Sequence, residues 1–82
     1  MRVIFKPQAE KYLKKVPSDI REKLLKGVED IKNGSDKVIR IRKNEFRYKN
    51  PPYRILFTLD KENQIIYITE INTRGDIKYK EK

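Results

Sequence analysis

The chain has 82 residues, with 21 lysines and arginines against 12 aspartates and glutamates, a net charge of +9, and no histidine or cysteine. This length provides for one small hydrophobic core, so we expect residues 1–82 to form a single domain. The missing residue types exclude disulfides, thiolate or imidazole metal sites and histidine-assisted nucleophiles. The lack of cysteine also favours a reducing cytoplasm.

Hydropathy points to the same compartment. The longest apolar run covers only residues 65–68, whereas a membrane-spanning helix needs roughly 20 apolar residues. The first residues lack the apolar stretch and the cleavage site of a signal peptide. We therefore expect a cytoplasmic protein without a membrane partner.

The first half of the chain predicts a strand followed by two helices. The apolar residues 3–5 form a short strand that stops at Pro7, a residue suited to the first turn of a helix. A second helix follows Pro17, with Ser18 as its predicted N-cap, and ends at Asn33-Gly34. Helical spacing gives it one apolar stripe, formed by Ile20, Leu24, Val28 and Ile31. Residues 7–33 are thus predicted to form an αα-hairpin with one buried face.

The second half of the chain changes to a period of two, which is typical of strands. The predicted strands cover residues 38–42, 45–49, 53–59 and 64–71, with turns at Asn50-Pro51-Pro52 and at residues 60–63. The predicted fold class is α+β: a short N-terminal strand, an αα-hairpin, and an antiparallel β-meander packed on the helices.

Most of the excess positive charge lies in one stretch of this second half. Residues 37–54 hold seven basic side chains and one acidic one. Alternation along strands places Arg47 and Lys49 on the same face, and Arg54 joins them if the next strand pairs across a short turn. Clustered cations repel one another unless an anion binds between them, so this face predicts a polyanion partner. The interleaved aromatic residues, Phe46, Tyr48 and Tyr53, are expected in the core.

Four segments in this order resemble the RelE/ParE superfamily of toxins from type II toxin–antitoxin systems. They are Arg40-Ile41-Arg42, Phe46-Arg47-Tyr48-Lys49, Tyr53-Arg54-Ile55-Leu56-Phe57 and Asn72-Thr73-Arg74-Gly75-Asp76-Ile77. The RelE-like branch consists of messenger-RNA endoribonucleases, commonly acting on the ribosome, that are neutralised by an antitoxin. The resemblance therefore implies mRNA, the ribosome and a cognate antitoxin, acidic and encoded nearby, as partners.

The resemblance also assigns functional residues. Carried over by motif, the catalytic set is Arg47, Lys49, Arg54, Arg74 and Tyr79. The neighbouring cations that we assign to RNA binding are Arg40, Arg42 and Lys43. Tyr79 stands one residue later than the family pattern places its tyrosine, since Lys78 follows Asp76-Ile77 directly.

Such a site needs neither a metal nor a cofactor, because the RNA 2′-OH attacks the adjacent phosphate. Arginine stays protonated and binds phosphate oxygens in a bidentate manner, so Arg54 and Arg74 suit transition-state stabilisation. Lys49 and Tyr79 both remain candidates for the general base. We therefore expect no metal ligands and no cofactor.

The sequence leaves two other functions open. The ParE branch shares the fold but inhibits DNA gyrase without cleaving RNA, and a non-catalytic nucleic-acid-binding module would carry the same charge. Arg54 could also form an ordinary surface ion pair with Glu70 or Asp76, which would contribute little to stability.

Overall fold

The structure is a computed structural model, which describes residues 2–73. The elements, in chain order, are β1 (Arg2–Phe5), α1 (Pro7–Lys15), α2 (Ser18–Lys32), β2 (Val38–Arg42), β3 (Glu45–Asn50), β4 (Tyr53–Asp60) and β5 (Ile65–Thr73). The predicted α+β class is confirmed. Neither helix of the described residues is long and apolar enough to cross a membrane.

The junction between the two helices differs from the prediction in one respect. Ser18 is the first residue of α2 rather than its N-cap, because Pro17 holds the N-cap position and no side chain caps the helix. The Pro17 carbonyl accepts the first helical hydrogen bond from the Arg21 amide at 2.9 Å. The Arg21 side chain also donates to the Leu13 carbonyl at 2.7 Å, so it holds the end of α1 against α2.

All five strands form one mixed sheet in the order β1-β5-β4-β3-β2. The strands β2 to β5 make the predicted antiparallel meander. The sequence did not indicate where β1 pairs: it lies parallel to β5, with Val3 opposite Ile66. The first and last described strands are therefore neighbours in the sheet.

The core lies between the two helices and one face of the sheet. Its buried residues include Leu24 and Val28 from α2 and alternate residues of the two long strands β4 and β5. Gly27 lets α2 approach closely, since a Cβ atom there would lie 3.0 Å from Cε2 of Tyr48. As predicted, Tyr48 is buried and both Phe46 and Tyr53 pack against the core.

The edge strand β2 leaves aliphatic side chains in solvent. Ile39 and Ile41 are 41% and 45% exposed, although both alternate with arginines as a half-buried strand would. Ile39 lies opposite Arg47, on the sheet face away from the helices. The register shifts between Arg40 and Arg42, which leaves Ile41 without a partner on β3. Both isoleucines are therefore exposed because β2 is an edge strand, although the alternating pattern predicts that they are half-buried.

Candidate functional site

Two cations face each other across β3 and β4. Lys49 and Arg54 are register partners in this antiparallel pair, next to the turn that joins the strands. Partners of this kind have Cβ atoms about 4.5–5.5 Å apart on the same face of the sheet. The adjacent residues Tyr48 and Ile55 are buried, so the two cations lie on the face away from the helices.

Arg47 extends this pair along β3. It lies two residues before Lys49 on the same face, opposite Leu56 on one side and Ile39 on the other. Its Nε atom is buried and has no hydrogen-bond partner within residues 2–73. We call Arg47, Lys49 and Arg54 the basic cluster. The sequence prediction that these three residues share one face is confirmed.

The turn between the two strands completes a cleft beside the basic cluster. This cleft has a volume of about 560 Å³ and is lined by Lys49, Pro51, Pro52, Tyr53 and Arg54. Residues 46–59 include neither aspartate nor glutamate. A concave site with two converging cations and no carboxylate among the residues that line it suits an anionic ligand.

The neighbouring strand β5 contributes a residue that sequence reasoning left out of the site. Asn72 lies opposite Arg54 and is only 4% exposed. Glu70, the predicted alternative ion-pair partner of Arg54, lies opposite Leu56, two residues before Asn72 on β5. The strand predicted from the sequence ended at residue 71, whereas β5 continues to Thr73, so no sequence signal indicated that Asn72 lies buried in the sheet.

The predicted RNA-binding residues lie elsewhere on the sheet. Arg40, Arg42 and Lys43 are at the β2–β3 turn, at the opposite end of β3 from Lys49. The Arg40 guanidinium donates to the carbonyl oxygens of Arg42 at 3.3 Å and Lys43 at 2.8 Å. The structure therefore does not bring these residues to the basic cluster, and RNA contact at that end stays a prediction.

Two predicted catalytic residues lie outside the described part of the chain. These are Arg74 and Tyr79. The described strand β5 ends at Thr73, one residue before Arg74 and one after Asn72. Their roles stay predictions.

On the helix side of the sheet, a hydrogen bond holds Tyr48, the residue between Arg47 and Lys49 of the basic cluster. The Tyr48 hydroxyl donates to Oδ2 of Asp30 at 2.8 Å, which joins β3 to α2. Burial, followed by this bond, raises the pKa of Tyr48 to about 12. The same bond, followed by one from Ser35, lowers the pKa of Asp30 below its usual value. At neutral pH the pair is therefore a neutral phenol and a carboxylate.

A comparison with known protein families identifies the family of this chain. The family model of the ParE toxin of type II toxin–antitoxin systems, parDE, matches residues 3–77. The chain belongs to this family. It is accordingly a toxin of the RelE/ParE superfamily, as the order of its motifs indicated. No curated protein matches the sequence.

Solved structures share the fold at low sequence identity. The archaeal RelE–RelB complex from Pyrococcus horikoshii OT3 matches with a TM-score of 0.74 and 23% identity, over 90% of this chain and 94% of that chain. The isolated Escherichia coli RelE toxin matches with a TM-score of 0.74 and 17% identity, over 96% and 92% of the two chains. RelBE2 of Mycobacterium tuberculosis matches with a TM-score of 0.74, 20% identity and coverage of 89% and 96%.

Proposed function

We propose that this toxin is an endoribonuclease that cleaves mRNA without a metal ion, acting on the ribosome. The observation that carries the proposal is the register of Lys49 opposite Arg54 at the mouth of a cleft without carboxylates. Two adjacent cations are costly in the empty protein and favourable once a phosphate lies between them. An inhibitor that works by protein–protein contact alone has no need of this arrangement.

The reaction that fits these groups is an internal phosphoryl transfer. The RNA 2′-oxygen forms a bond to the adjacent phosphorus, and the bond from phosphorus to the 5′-oxygen of the next nucleotide breaks. The products are a 2′,3′-cyclic phosphate and a 5′-hydroxyl. Negative charge concentrates on the phosphoryl oxygens in the transition state, where fixed cations contribute most.

Each member of the basic cluster has a role in this scheme. Arg54 holds the phosphoryl oxygens in a bidentate manner. Lys49, which is exposed at the cleft, and Tyr79 are the two candidates for the general base that takes the 2′-proton. Arg47 and Arg74 add positive charge around the phosphate. Asn72, opposite Arg54, orients that guanidinium.

The protein would also have an antitoxin partner. Structures with the same fold include toxin–antitoxin complexes from Pyrococcus horikoshii OT3 and Methanococcus jannaschii. A toxin with a net charge of +9 favours an acidic partner. Co-expression with the neighbouring reading frame, followed by purification through a tag on one protein, tests whether the two form a complex.

Cleavage can be tested directly with purified protein. Programmed ribosomes in Mg²⁺ buffer, and naked mRNA in EDTA, are incubated with the toxin, and the new 5′ ends are mapped. We expect cuts that carry a 5′-hydroxyl and a 2′,3′-cyclic phosphate, which Arg54→Ala reduces by about 10²–10³-fold and Lys61→Ala retains. Lys61 is an exposed lysine in the distant β4–β5 turn, so it controls for the loss of one charge. Intact RNA in both samples would exclude the endoribonuclease.

Gyrase inhibition is the second candidate, and the family match favours it. The matching family model is that of ParE toxins. A supercoiling assay with purified gyrase separates the two functions. Blocked supercoiling together with intact RNA would assign the protein to the inhibitor branch. Cleaved RNA together with normal supercoiling would assign it to the nucleases.

A further inference from the structure

A second cleft lies behind the β3–β4 turn, on the helix side of the sheet. Its volume is about 420 Å³. The side chains at its wall come from α2 and from β3, and they include Lys23, Lys26, Asn33, Tyr48 and Asn50. Asn50 directly follows Lys49 of the basic cluster and directly precedes the turn. The two clefts are therefore separated only by the tip of one hairpin.

Lys23 links the two clefts. Its Nζ atom donates to the Pro51 carbonyl oxygen at 3.3 Å. The same atom lies 5.7 Å from the centre of the Tyr53 ring, within the range of a cation–π interaction. Pro51 and Tyr53 both line the first cleft. One ammonium group of the second cleft is thus held against the wall of the first.

Lys26 adds a second cation one helical turn along α2. It is exposed and lines the same cleft as Lys23. Residues three apart on a helix lie on the same side, so the two ammonium groups can bind one extended polyanion. Of the two acidic residues at this cleft, Glu29 pairs with Lys32 at 3.7 Å and Asp30 accepts the Tyr48 hydroxyl. Both carboxylates therefore already have partners.

We propose that single-stranded RNA bound at the basic cluster continues over the β3–β4 turn, and that Lys23 and Lys26 bind its flanking phosphates. This inference rests on the proposed function, since it extends the same RNA beyond the cleavage site. The charge distribution supports the path. Between Glu45 and Asp60, which stand at the far ends of the hairpin strands, residues 46–59 hold three cations and no acid. Lys23 continues this positive surface onto α2. The side-chain amides of Asn33 and Asn50 offer further donors there.

The test measures affinity against oligonucleotide length. Fluorescently labelled 2′-O-methyl RNA, which cannot undergo internal attack, is prepared with about three and about twelve nucleotides. Wild-type protein is compared with K23A/K26A and with the control K11A/K14A. The control removes two exposed lysines with the same spacing from α1, and neither lines either of the two clefts described above.

We expect K23A/K26A to weaken binding of the long oligonucleotide by about an order of magnitude and to leave the short one nearly unchanged. The slope of log affinity against log salt should fall by about 1.4, since each phosphate contact to a single strand contributes about 0.7. K26A alone should show part of the effect, and it leaves the bond from Lys23 to the turn in place. K26R, which keeps a positive charge at this position, should bind the long oligonucleotide about as tightly as the wild type.

Several outcomes would overturn the inference. Equal losses in K23A/K26A and K11A/K14A, or equal losses for both lengths, would show a general charge effect. If a poly-glutamate peptide loses affinity in K23A/K26A while the RNA does not, the surface binds a protein. If the wild type cleaves RNA and K23A/K26A binds the long oligonucleotide as tightly as the wild type does, this inference is wrong and the proposed function stands. Failure of the wild type to bind either oligonucleotide removes the RNA substrate itself.

Discussion

The Tyr48 hydroxyl donates a 2.8 Å hydrogen bond to Asp30, and Lys49 is the next residue along β3. Tyr48 is 3% exposed, so its ring belongs to the core while its hydroxyl reaches the second cleft. This one bond connects α2 with β3 at the level of the basic cluster. Core packing and placement of the candidate site therefore depend on the same side chain.

We predict that Tyr48→Phe lowers the stability of the protein and keeps its fold. The substitution removes the hydroxyl and leaves the Asp30 carboxylate without this donor, while the ring still fills its place in the core. The urea midpoint should fall with an unchanged m-value. Tyr67→Phe is the matched control, because the Tyr67 hydroxyl has no hydrogen bond within residues 2–73. Equal midpoints for both variants would contradict the role of the bond.

The same pair predicts how stability depends on pH. The pKa of Tyr48 rises from 10.0 to about 12 on folding, so its contribution is complete below pH 10 and is lost between pH 10 and pH 12. The pKa of Asp30 falls below 3.8, so its contribution is complete above that value and is lost as the pH drops through the lower folded pKa.

Urea titrations at a series of pH values give the free energy of unfolding against pH, and they check both the acid and the alkaline limb of that curve. Tyr48→Phe should flatten the alkaline limb, and Asp30→Asn should flatten the acid limb. An alkaline limb that stays as steep in Tyr48→Phe as in the wild type would show that other groups control it. Lys49 and the other lysines remain in both proteins, so they cannot produce a difference between them.

The sequence predicted the secondary structure and the basic cluster because both follow from local rules. Alternation along a strand and a short turn suffice to place Arg47, Lys49 and Arg54 on one face. It did not predict the pairing of β1 with β5 or the position of Asn72, because both depend on contacts between distant parts of the chain. The sequence did not predict the second cleft for the same reason, since Lys23 and Asn50 lie in different halves of the chain.

We predict that Arg54→Ala separates activity from stability. Arg54 contributes charge at the cleft, so cleavage should fall by about 10²–10³-fold, as for the loss of one preorganised transition-state donor. Stability should stay equal or rise by up to about 1 kcal/mol, because the substitution relieves repulsion with Lys49. Cleavage rates and urea midpoints of Arg54→Ala and Lys61→Ala provide the comparison. A large loss of stability would mean that Arg54 has a structural role.

Gly27→Ala should destabilise the protein although alanine favours helices. A Cβ atom at this position would lie 3.0 Å from Cε2 of Tyr48 and 3.3 Å from Cδ1 of Ile55. Overpacking of this kind costs about 1–3 kcal/mol, and the gain in helix propensity is about 1 kcal/mol, so we expect a net loss of about 1 kcal/mol. Glu22→Ala, at an exposed position of α2, should stay near the wild type in thermal denaturation. A stabilised Gly27→Ala would show that Tyr48 can shift.

The last prediction concerns Gln8, which ties α1 to β5. Its Nε2 donates to the Ile71 carbonyl at 3.2 Å, and its Oε1 accepts the Ile71 amide at 3.0 Å. This pair of bonds continues the pairing of β1 with β5 past Ile68, whose carbonyl bonds to the Lys6 amide. Gln8→Ala leaves both Ile71 groups without a partner, which should cost about 1–3 kcal/mol. Hydrogen exchange at the Ile71 amide should quicken markedly, whereas Lys11→Ala on the same helix should leave it slow.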